Sequence, residues 1–96
     1  MRAEWDDDKA ATNLRKHQLS FELAAEVFDD DLHRSDEDKF AIGERRFMTM
    51  GLVRGVGLVV VIHTLVNEGT ENEFVRIISA RRAERHERRE YEDGQG

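Results

Sequence analysis

Hydrophobic residues in the second half of the chain follow the patterns of β-strands. Residues 46–53 alternate with a period of two, and Leu58 to Val66 is an apolar run interrupted only by His63 and Thr64, typical of a central strand buried on both faces. Gly55-Val56-Gly57 lies between them and predicts a hairpin turn. Asn67 to Asn72 predicts a loop, and Phe74 to Ala80 predicts the last long strand. The pattern therefore predicts three antiparallel strands joined by short turns.

A helix is predicted from Asp7 to His17 in the first half of the chain. Aspartates stand at its start and cations at its end, where each interacts favourably with the helix termini. Its helical spacing predicts an inner face made of Ala10, Leu14 and His17 or Gln18.

A second helix is predicted after Ser20, which suits an N-cap position. Its apolar residues recur at i, i+3, i+4 and i+7, which predicts a core-facing stripe of Phe21, Ala24, Ala25 and Phe28. Before the first helix, Ala3-Glu4-Trp5 predicts a short edge strand.

The chain also contains two polar stretches. Asp29 to Asp38 is crowded with acidic residues and predicts a solvated loop. After Ser79 the composition changes to Ala, Glu and Arg, which predicts a polar helix running to about Tyr91. Residues 93–96 predict a frayed tail.

These elements predict an α+β fold built as one domain over residues 1–96. Two N-terminal helices pack on one face of a small antiparallel sheet of three to four strands. The C-terminal, arginine-rich helix lies beside the other face.

Composition narrows the class of protein. The chain is 39% hydrophobic and 38% charged and has no cysteine, which excludes a disulfide framework and thiolate catalysis. Its longest apolar run is far too short to span a bilayer, and its N-terminus lacks the apolar core of a signal peptide. We therefore expect a cytoplasmic protein.

Charge is distributed unevenly along the chain. The net charge is −6, yet residues 1–44 carry 6 basic and 13 acidic side chains, whereas residues 45–96 carry 9 basic and 8 acidic ones. Residues 74–89 alone hold six arginines against two glutamates. An acidic half joined to a basic patch predicts two surfaces with different partners.

The arginine cluster is a candidate anion site. On the predicted helix, Arg81, Arg85 and Arg89 fall roughly in line, with Arg82 on the same side. The guanidinium group is a rigid, permanently charged fork that fits phosphate. The alternative is a solvated helix whose charges support one another weakly, as Glu84 and Arg88 would at i, i+4.

Metal and cofactor sites are not expected. The aspartate-rich stretch lacks the glycine and the closing glutamate of a calcium loop. Four scattered histidines give no zinc pattern, and the G-x-G turn lacks the third glycine and following helix of a dinucleotide site.

An ordered set of short motifs resembles one known family nearly end to end. The motifs are Glu4-Trp5-Asp6, Lys9, Asn13-Leu14-Arg15-Lys16-His17, Ser20-Phe21-Glu22, Ala24-Ala25, Val27-Phe28-Asp29-Asp30, Glu44-Arg45-Arg46, Val59-Val60-Val61 and Arg76-Ile77-Ile78-Ser79-Ala80-Arg81-Arg82. Together they resemble BrnT-type toxins of the BrnT/BrnA toxin–antitoxin systems.

The resemblance implies a fold similar to RelE-like microbial ribonucleases and cleavage of RNA without a metal. It also implies a BrnA-like antitoxin that binds the toxin and DNA through different regions, so that DNA contact is indirect. The chain departs from the family in two places. Gln18 stands where the family usually has a glycine that ends the first helix. Leu65 and Val66 follow Thr64 where many members carry an acidic residue and then an arginine.

Site residues follow from the chemistry of metal-free RNA cleavage, which needs charge stabilisation and proton transfer. Arg76, Arg81 and Arg82 are the candidates for charge stabilisation, and Lys9 is expected to reach the same phosphate. His63 is the candidate proton-transfer group because of its pKa range; the alternative is a packed strand histidine. Further RNA contacts are expected from Lys16, Arg85 and Arg89.

Two other functions remain open at this point. The first is an interaction module that binds the antitoxin, or RNA without cutting it, and acts mainly in operon autoregulation. The loss of the acid after Thr64 favours this reading. The second is a purely structural protein whose charged helix docks a partner.

Overall fold

The structure is a computed structural model that describes residues 1–94. Along this part of the chain the elements are β1 (Ala3–Trp5), α1 (Asp7–His17), α2 (Phe21–Ala24), a 3-10 helix (Ala25–Asp29), β2 (Arg34–Asp38), β3 (Arg46–Val53), β4 (Gly57–Val66), β5 (Phe74–Arg82) and α3 (Arg85–Asp93). None of the helices in this part of the chain is long and apolar enough to cross a membrane.

The strands form one mixed sheet in the order β1-β5-β4-β3-β2. The α+β class, the edge position of β1 and the central position of β4 agree with the sequence analysis. The expectation of a purely antiparallel sheet of three to four strands is wrong, because β1 pairs with β5 in parallel and β2 adds a fifth strand. The hairpin turn falls at Gly55, as predicted, with φ of 81°.

The acidic stretch predicted as a loop contains the edge strand β2. It pairs with β3 from Arg34 opposite Met50 to Asp38 opposite Arg46, and all five of its side chains are exposed. An edge strand needs a partner on one side only, so a charged sequence without an apolar face can occupy it. The pairing is reinforced by a 2.6 Å hydrogen bond between the hydroxyls of Ser35 and Thr49.

Helix α1 begins and ends where the sequence predicts. The Asp6 carboxylate accepts hydrogen bonds from the backbone N–H groups of Asp8 and Lys9. Gln18 ends the helix in the left-handed conformation, with φ of 53°. The predicted inner face is wrong at Leu14, which is 50% exposed, because the buried position of that turn is Asn13.

Asn13 fixes α1 to the outer edge of β5. Its side-chain amide donates to the carbonyl oxygens of Leu19 at 3.1 Å and Ala80 at 2.9 Å, and its Oδ1 accepts from Ala80 N–H at 3.1 Å. The amide therefore substitutes for a neighbouring strand where β1 has already ended.

The predicted core helix after Ser20 changes to a 3-10 helix at Ala25. The 3-10 segment crosses β3 at Gly51, where an added Cβ would lie 2.8 Å from the carbonyl oxygen of Val27. The two backbones approach this closely because Gly51 has no side chain.

Each face of the sheet carries a separate apolar cluster. The larger one lies under α1, α2 and the 3-10 helix and includes Leu19, Phe21, Ala24, Val27, Val53, Val59, Val61, Val75, Ile77 and Ala80. The smaller one lies on the other face, where α3 packs Tyr91 against Met50, Leu58 and Val60. The rest of that second face has no helix over it in the described part of the chain, and we call it the open face.

The C-terminal helix starts later than predicted. Strand β5 continues through Arg82, paired with Val59 of β4, because Asn13 and β4 satisfy its backbone on both sides. Helix α3 then begins after Glu84, which forms a reciprocal capping box with Glu87. Asp93 belongs to α3, so the predicted tail does not begin at 93. Residues 95 and 96 of that predicted tail lie outside the described residues.

Candidate functional site

A row of three polar residues crosses the open face from β1 to β4. Arg76 of β5 lies directly opposite Glu4 of β1 on one side and Thr64 of β4 on the other. Directly opposite residues share a face, and neighbouring strands are about 4.8 Å apart, so the three side chains are adjacent. The row brings together an acid, a cation and a hydroxyl.

Arg76 is the available cation of this row. Its side chain is exposed, and within residues 1–94 it forms no ion pair. Glu4 is also exposed and lies 3.8 Å from Arg2, a separation between solvated groups that contributes little. The guanidinium of Arg76 can therefore bind an incoming phosphate without first breaking an internal contact.

Arg81 occupies a different environment from the one expected. It lies on β5 rather than on a helix with Arg85 and Arg89, so the predicted line of three arginines is wrong. Its guanidinium binds both carboxylate oxygens of Glu87, at 2.7 and 2.9 Å. This pairing raises the pKa of Arg81 and lowers the pKa of the Glu87 carboxyl. The pair joins β5 to α3 and neutralises the arginine charge.

Arg85 and Arg89 project away from the sheet. Glu87 and Tyr91 form the buried side of α3, and residues at 85 and 89 stand on the opposite side of a helix of 3.6 residues per turn. Both arginines are exposed. The structure therefore separates them from Arg76.

A second basic surface lies on the helix-covered side, in a groove of about 340 Å³ between α1 and the edge of β5. Lys9, Lys16 and His17 line it together with Ile78 and Ser79 of β5. Arg82 reaches the same region, because its Nη1 donates to the carbonyl oxygen of His17 at 3.2 Å. The structure thus brings Lys9, Lys16 and Arg82 together at the edge of β5.

His63 points away from the open face, since Thr64, the next residue on β4, shares the face of Arg76. It is 3% exposed, and its Nε2 accepts from the Thr49 hydroxyl at 2.7 Å, while Nδ1 donates to the carbonyl oxygen of Thr64 at 3.2 Å. The rings of Phe28 and Phe47 pack on it with centroids 5.1 and 5.8 Å away. Burial lowers the pKa of His63. These contacts are those of a packed strand histidine.

Another groove, of about 710 Å³, lies at the β3–β4 hairpin. Glu26, Asp29 and Asp30 line it, with Arg54 as its cation. An acidic lining repels phosphate, so this groove does not suit nucleic acid.

Glu84, His86 and Glu87 place possible metal-ligand atoms within 4.8 Å of one another at the start of α3. The contacts of Glu87 explain this grouping without an ion: its oxygens bind Arg81 and the backbone N–H of Glu84.

Sequence reasoning did not predict a site role for Glu4, Thr64 or Asn13. Glu4 and Arg76 become neighbours through β1–β5 pairing across some 70 positions, which no local pattern encodes. Asn13 carries one available signal, since a polar residue on the inner side of an amphipathic helix predicts a buried hydrogen-bonding role.

Comparison with known proteins identifies the family to which the chain belongs. The sequence model of a family described as "Ribonuclease toxin, BrnT, of type II toxin-antitoxin system" matches residues 5–87. The chain belongs to the BrnT family. A search of curated protein sequences finds no match.

A solved BrnT structure has a similar fold. The crystal structure of the Brucella abortus ribonuclease toxin, BrnT, determined at 1.1 Å resolution, aligns with a TM-score of 0.60 and 29% sequence identity. The alignment covers 88% of this chain and 99% of that one. The resemblance that the motifs indicated is confirmed: the chain is a BrnT family ribonuclease toxin of a type II toxin–antitoxin system. Such a family implies an RNA substrate and an antitoxin partner.

Proposed function

We propose that this BrnT protein is a metal-independent endoribonuclease that inhibits translation in the cytoplasm by cutting RNA. A BrnA-like antitoxin neutralises it and provides the indirect contact with DNA. Its fold is expected to be similar to that of RelE-like microbial ribonucleases. The observation that supports the proposal is the exposed Arg76, which has no ion pair within residues 1–94 and is adjacent to Glu4 on the open face.

The reaction needs three elements. The 2′-oxygen attacks phosphorus and forms a P–O bond while the bond from phosphorus to the 5′-oxygen breaks. The guanidinium of Arg76 supplies the positive charge that neutralises the negative charge developing on the non-bridging oxygens. Glu4 accepts the 2′-hydroxyl proton, and solvent, which reaches this exposed face, protonates the leaving 5′-oxygen.

Glu4 replaces His63 as the proposed proton acceptor. His63 lies on the opposite side of the sheet, and both of its ring nitrogens bind protein groups. A base must lie within hydrogen-bond reach of the proton that it removes. Glu4 meets the positional requirement because it is the direct neighbour of Arg76.

The α1–β5 groove extends the binding surface for RNA. Ser79, which lines the groove, is three residues from Arg76, or about 10 Å along an extended strand. A single-stranded RNA that crosses the edge of β5 would contact Arg76 through one phosphate. Its other phosphates would contact Lys9, Lys16 or Arg82. Lys9 is therefore assigned to a neighbouring phosphate, and Arg81 is assigned to the packing of α3.

An inactive RNA- or antitoxin-binding module is the second candidate function. The observation favouring it is the apolar pair Leu65 and Val66 where many family members carry an acid and an arginine. Leu65 packs against the helix-covered core, and its hydrocarbon side chain has no group that could transfer a proton. Such a protein would bind its partners and act mainly in operon autoregulation.

RNA cleavage in EDTA tests the proposal. Purified parent protein, Arg76→Ala, Glu4→Gln and the control Arg89→Ala are incubated with total RNA, with and without ribosomes. We expect the parent and Arg89→Ala to cut, and the Arg76 variant to lose about 100-fold or more in rate, the order found when one charge-stabilising donor is removed. Absence of cutting by the parent in both conditions would favour the binding module.

A further inference from the structure

Thr64 has the only buried side-chain polar atom without a hydrogen-bond partner in the described part of the chain. The residue is 1% exposed, and its Oγ1 contacts neither a donor nor an acceptor. Buried hydroxyls are nearly always hydrogen-bonded, because an unpaired one loses its bonds to water and gains nothing in exchange. An unpaired hydroxyl therefore destabilises the folded protein.

Valine would suit this position better for folding alone. It has the shape of threonine, is favoured in strands and carries no hydroxyl. Strand β4 already uses valine at four buried or half-buried positions, namely Val59, Val60, Val61 and Val66. A threonine at 64 thus has a stability disadvantage that packing does not explain, and such disadvantages concentrate where a residue serves function.

The position of Thr64 indicates that function. It is directly opposite Arg76, an exposed cation of the open face, and its side chain lies on the same face. A hydroxyl can donate a hydrogen bond to a phosphate oxygen while a guanidinium neutralises its charge. The pair is thus complementary to one phosphate group.

The geometry points to Thr64 as a phosphodiester-binding residue that donates its hydroxyl hydrogen to a non-bridging oxygen of the phosphate held by Arg76. This inference rests on the proposed function, whose site it completes. The long, exposed side chain of Arg76 is the movable neighbour of Thr64. Because Thr64 is 1% exposed, its hydroxyl can reach the phosphate only if a neighbouring side chain moves, and Arg76, directly opposite, moves as it binds that phosphate. The substrate then supplies the hydrogen-bond partner that the hydroxyl lacks within residues 1–94.

Thr49 provides a matched control on the adjacent strand. It is also buried, at 0% exposed, but its hydroxyl is fully used, between Ser35 at 2.6 Å and His63 at 2.7 Å. The same substitution by valine should therefore act in opposite ways at the two positions. Thr64→Val removes an unpaired hydroxyl, whereas Thr49→Val leaves the buried Nε2 of His63 without its partner and breaks the hydrogen bond to Ser35.

The experiment measures folding and binding separately. Urea unfolding gives stability, and fluorescence anisotropy gives the affinity for a 2′-O-methyl RNA oligonucleotide, which cannot be cleaved. We expect Thr64→Val to raise the urea midpoint by about 0.5 M and to weaken binding about 10-fold. Thr64→Ser should retain the affinity of the parent. Thr49→Val should lower the urea midpoint and leave the affinity unchanged.

Three results would overturn the inference. A lower urea midpoint for Thr64→Val would mean that its hydroxyl has a partner inside the protein. Unchanged affinity in that variant, or no binding of the oligonucleotide by the parent, would mean that the hydroxyl does not contact phosphate. Binding that depends on Thr64, together with no cleavage of unmodified RNA, would support the site and contradict the proposed ribonuclease activity.

Discussion

Replacing the buried Asn13 by leucine should lower the free energy of unfolding much more than a substitution at an exposed position. The Asn13 amide makes three hydrogen bonds, to Leu19 O, Ala80 O and Ala80 N, and is 5% exposed. Leucine fills a similar volume but leaves those three backbone groups without a partner in a buried place. The substitution therefore isolates the polar role of the side chain from its packing.

The expected loss is about 3 kcal/mol, taking about 1 kcal/mol for each hydrogen bond and its unsatisfied backbone partner. A chain of 96 residues is expected to have a total stability of roughly 5 to 14 kcal/mol. The loss is thus a large part of the whole. With a urea m-value of about 2 kcal/mol/M, the midpoint should fall by about 1.5 M.

Equilibrium urea unfolding followed by circular dichroism measures this loss. Asn13→Asp keeps the acceptor for Ala80 N–H but has no donor for the two carbonyls, so it should also destabilise the protein. The exposed Asn72, replaced by alanine, is the control and should stay within about 0.5 kcal/mol of the parent. A loss below about 1 kcal/mol for Asn13→Leu would refute the role of Asn13 as the partner of β5.

Three further substitutions test other parts of the fold. Gln18→Gly should raise the unfolding free energy by up to about 1 kcal/mol, because glycine adopts the left-handed conformation without strain. Gly51→Ala should lower it by about 1 to 3 kcal/mol, because the new Cβ would clash with Val27 O. The pKa of His63 is lowered from its ordinary 6.5, so the unfolded chain takes up the proton first and stability falls as pH drops below about 6.5. His63→Gln should remove that part of the pH dependence.

Thermal and urea unfolding measure all three effects. A fall in stability for Gln18→Gly would show that the 3.0 Å hydrogen bond from the Gln18 side chain to Arg15 O outweighs the backbone strain. A neutral Gly51→Ala would contradict the close contact of the 3-10 helix with β3. For His63, the exposed His86→Gln is the control; an equal slope of stability against pH between 5 and 7 in parent and His63→Gln would contradict the assignment.

Local patterns were sufficient where an element is specified by its own residues. Helix α1 matches its prediction because Asp6 and the basic last turn act within one helix length. The run from Leu58 correctly predicted the central strand because burial on both faces favours apolar residues at most of its positions. The turn at Gly55 was likewise predictable, because glycine adopts the positive φ of this turn without strain.

Elements that depend on distant partners could not be predicted in this way. Strand β2 is charged and reads as a loop until β3 provides its hydrogen bonds. Strand β5 extends to Arg82 because Asn13, 67 positions from Ala80, satisfies its edge. The opposite faces of His63 and Arg76 follow from sheet register, including the irregularity between Ile62 and His63.

The chemistry of the RNA ends produced in EDTA tests the central claim most directly. If a 2′-oxygen attacks a phosphate held by Arg76, a synthetic RNA should yield 2′,3′-cyclic phosphate and 5′-hydroxyl ends. Arg76→Ala should lose these products, Arg89→Ala should keep them, and a 2′-deoxy nucleotide at the cleaved position should block the reaction. Products bearing 5′-phosphates that disappear in EDTA, or equal cleavage by Arg76→Ala, would contradict the account.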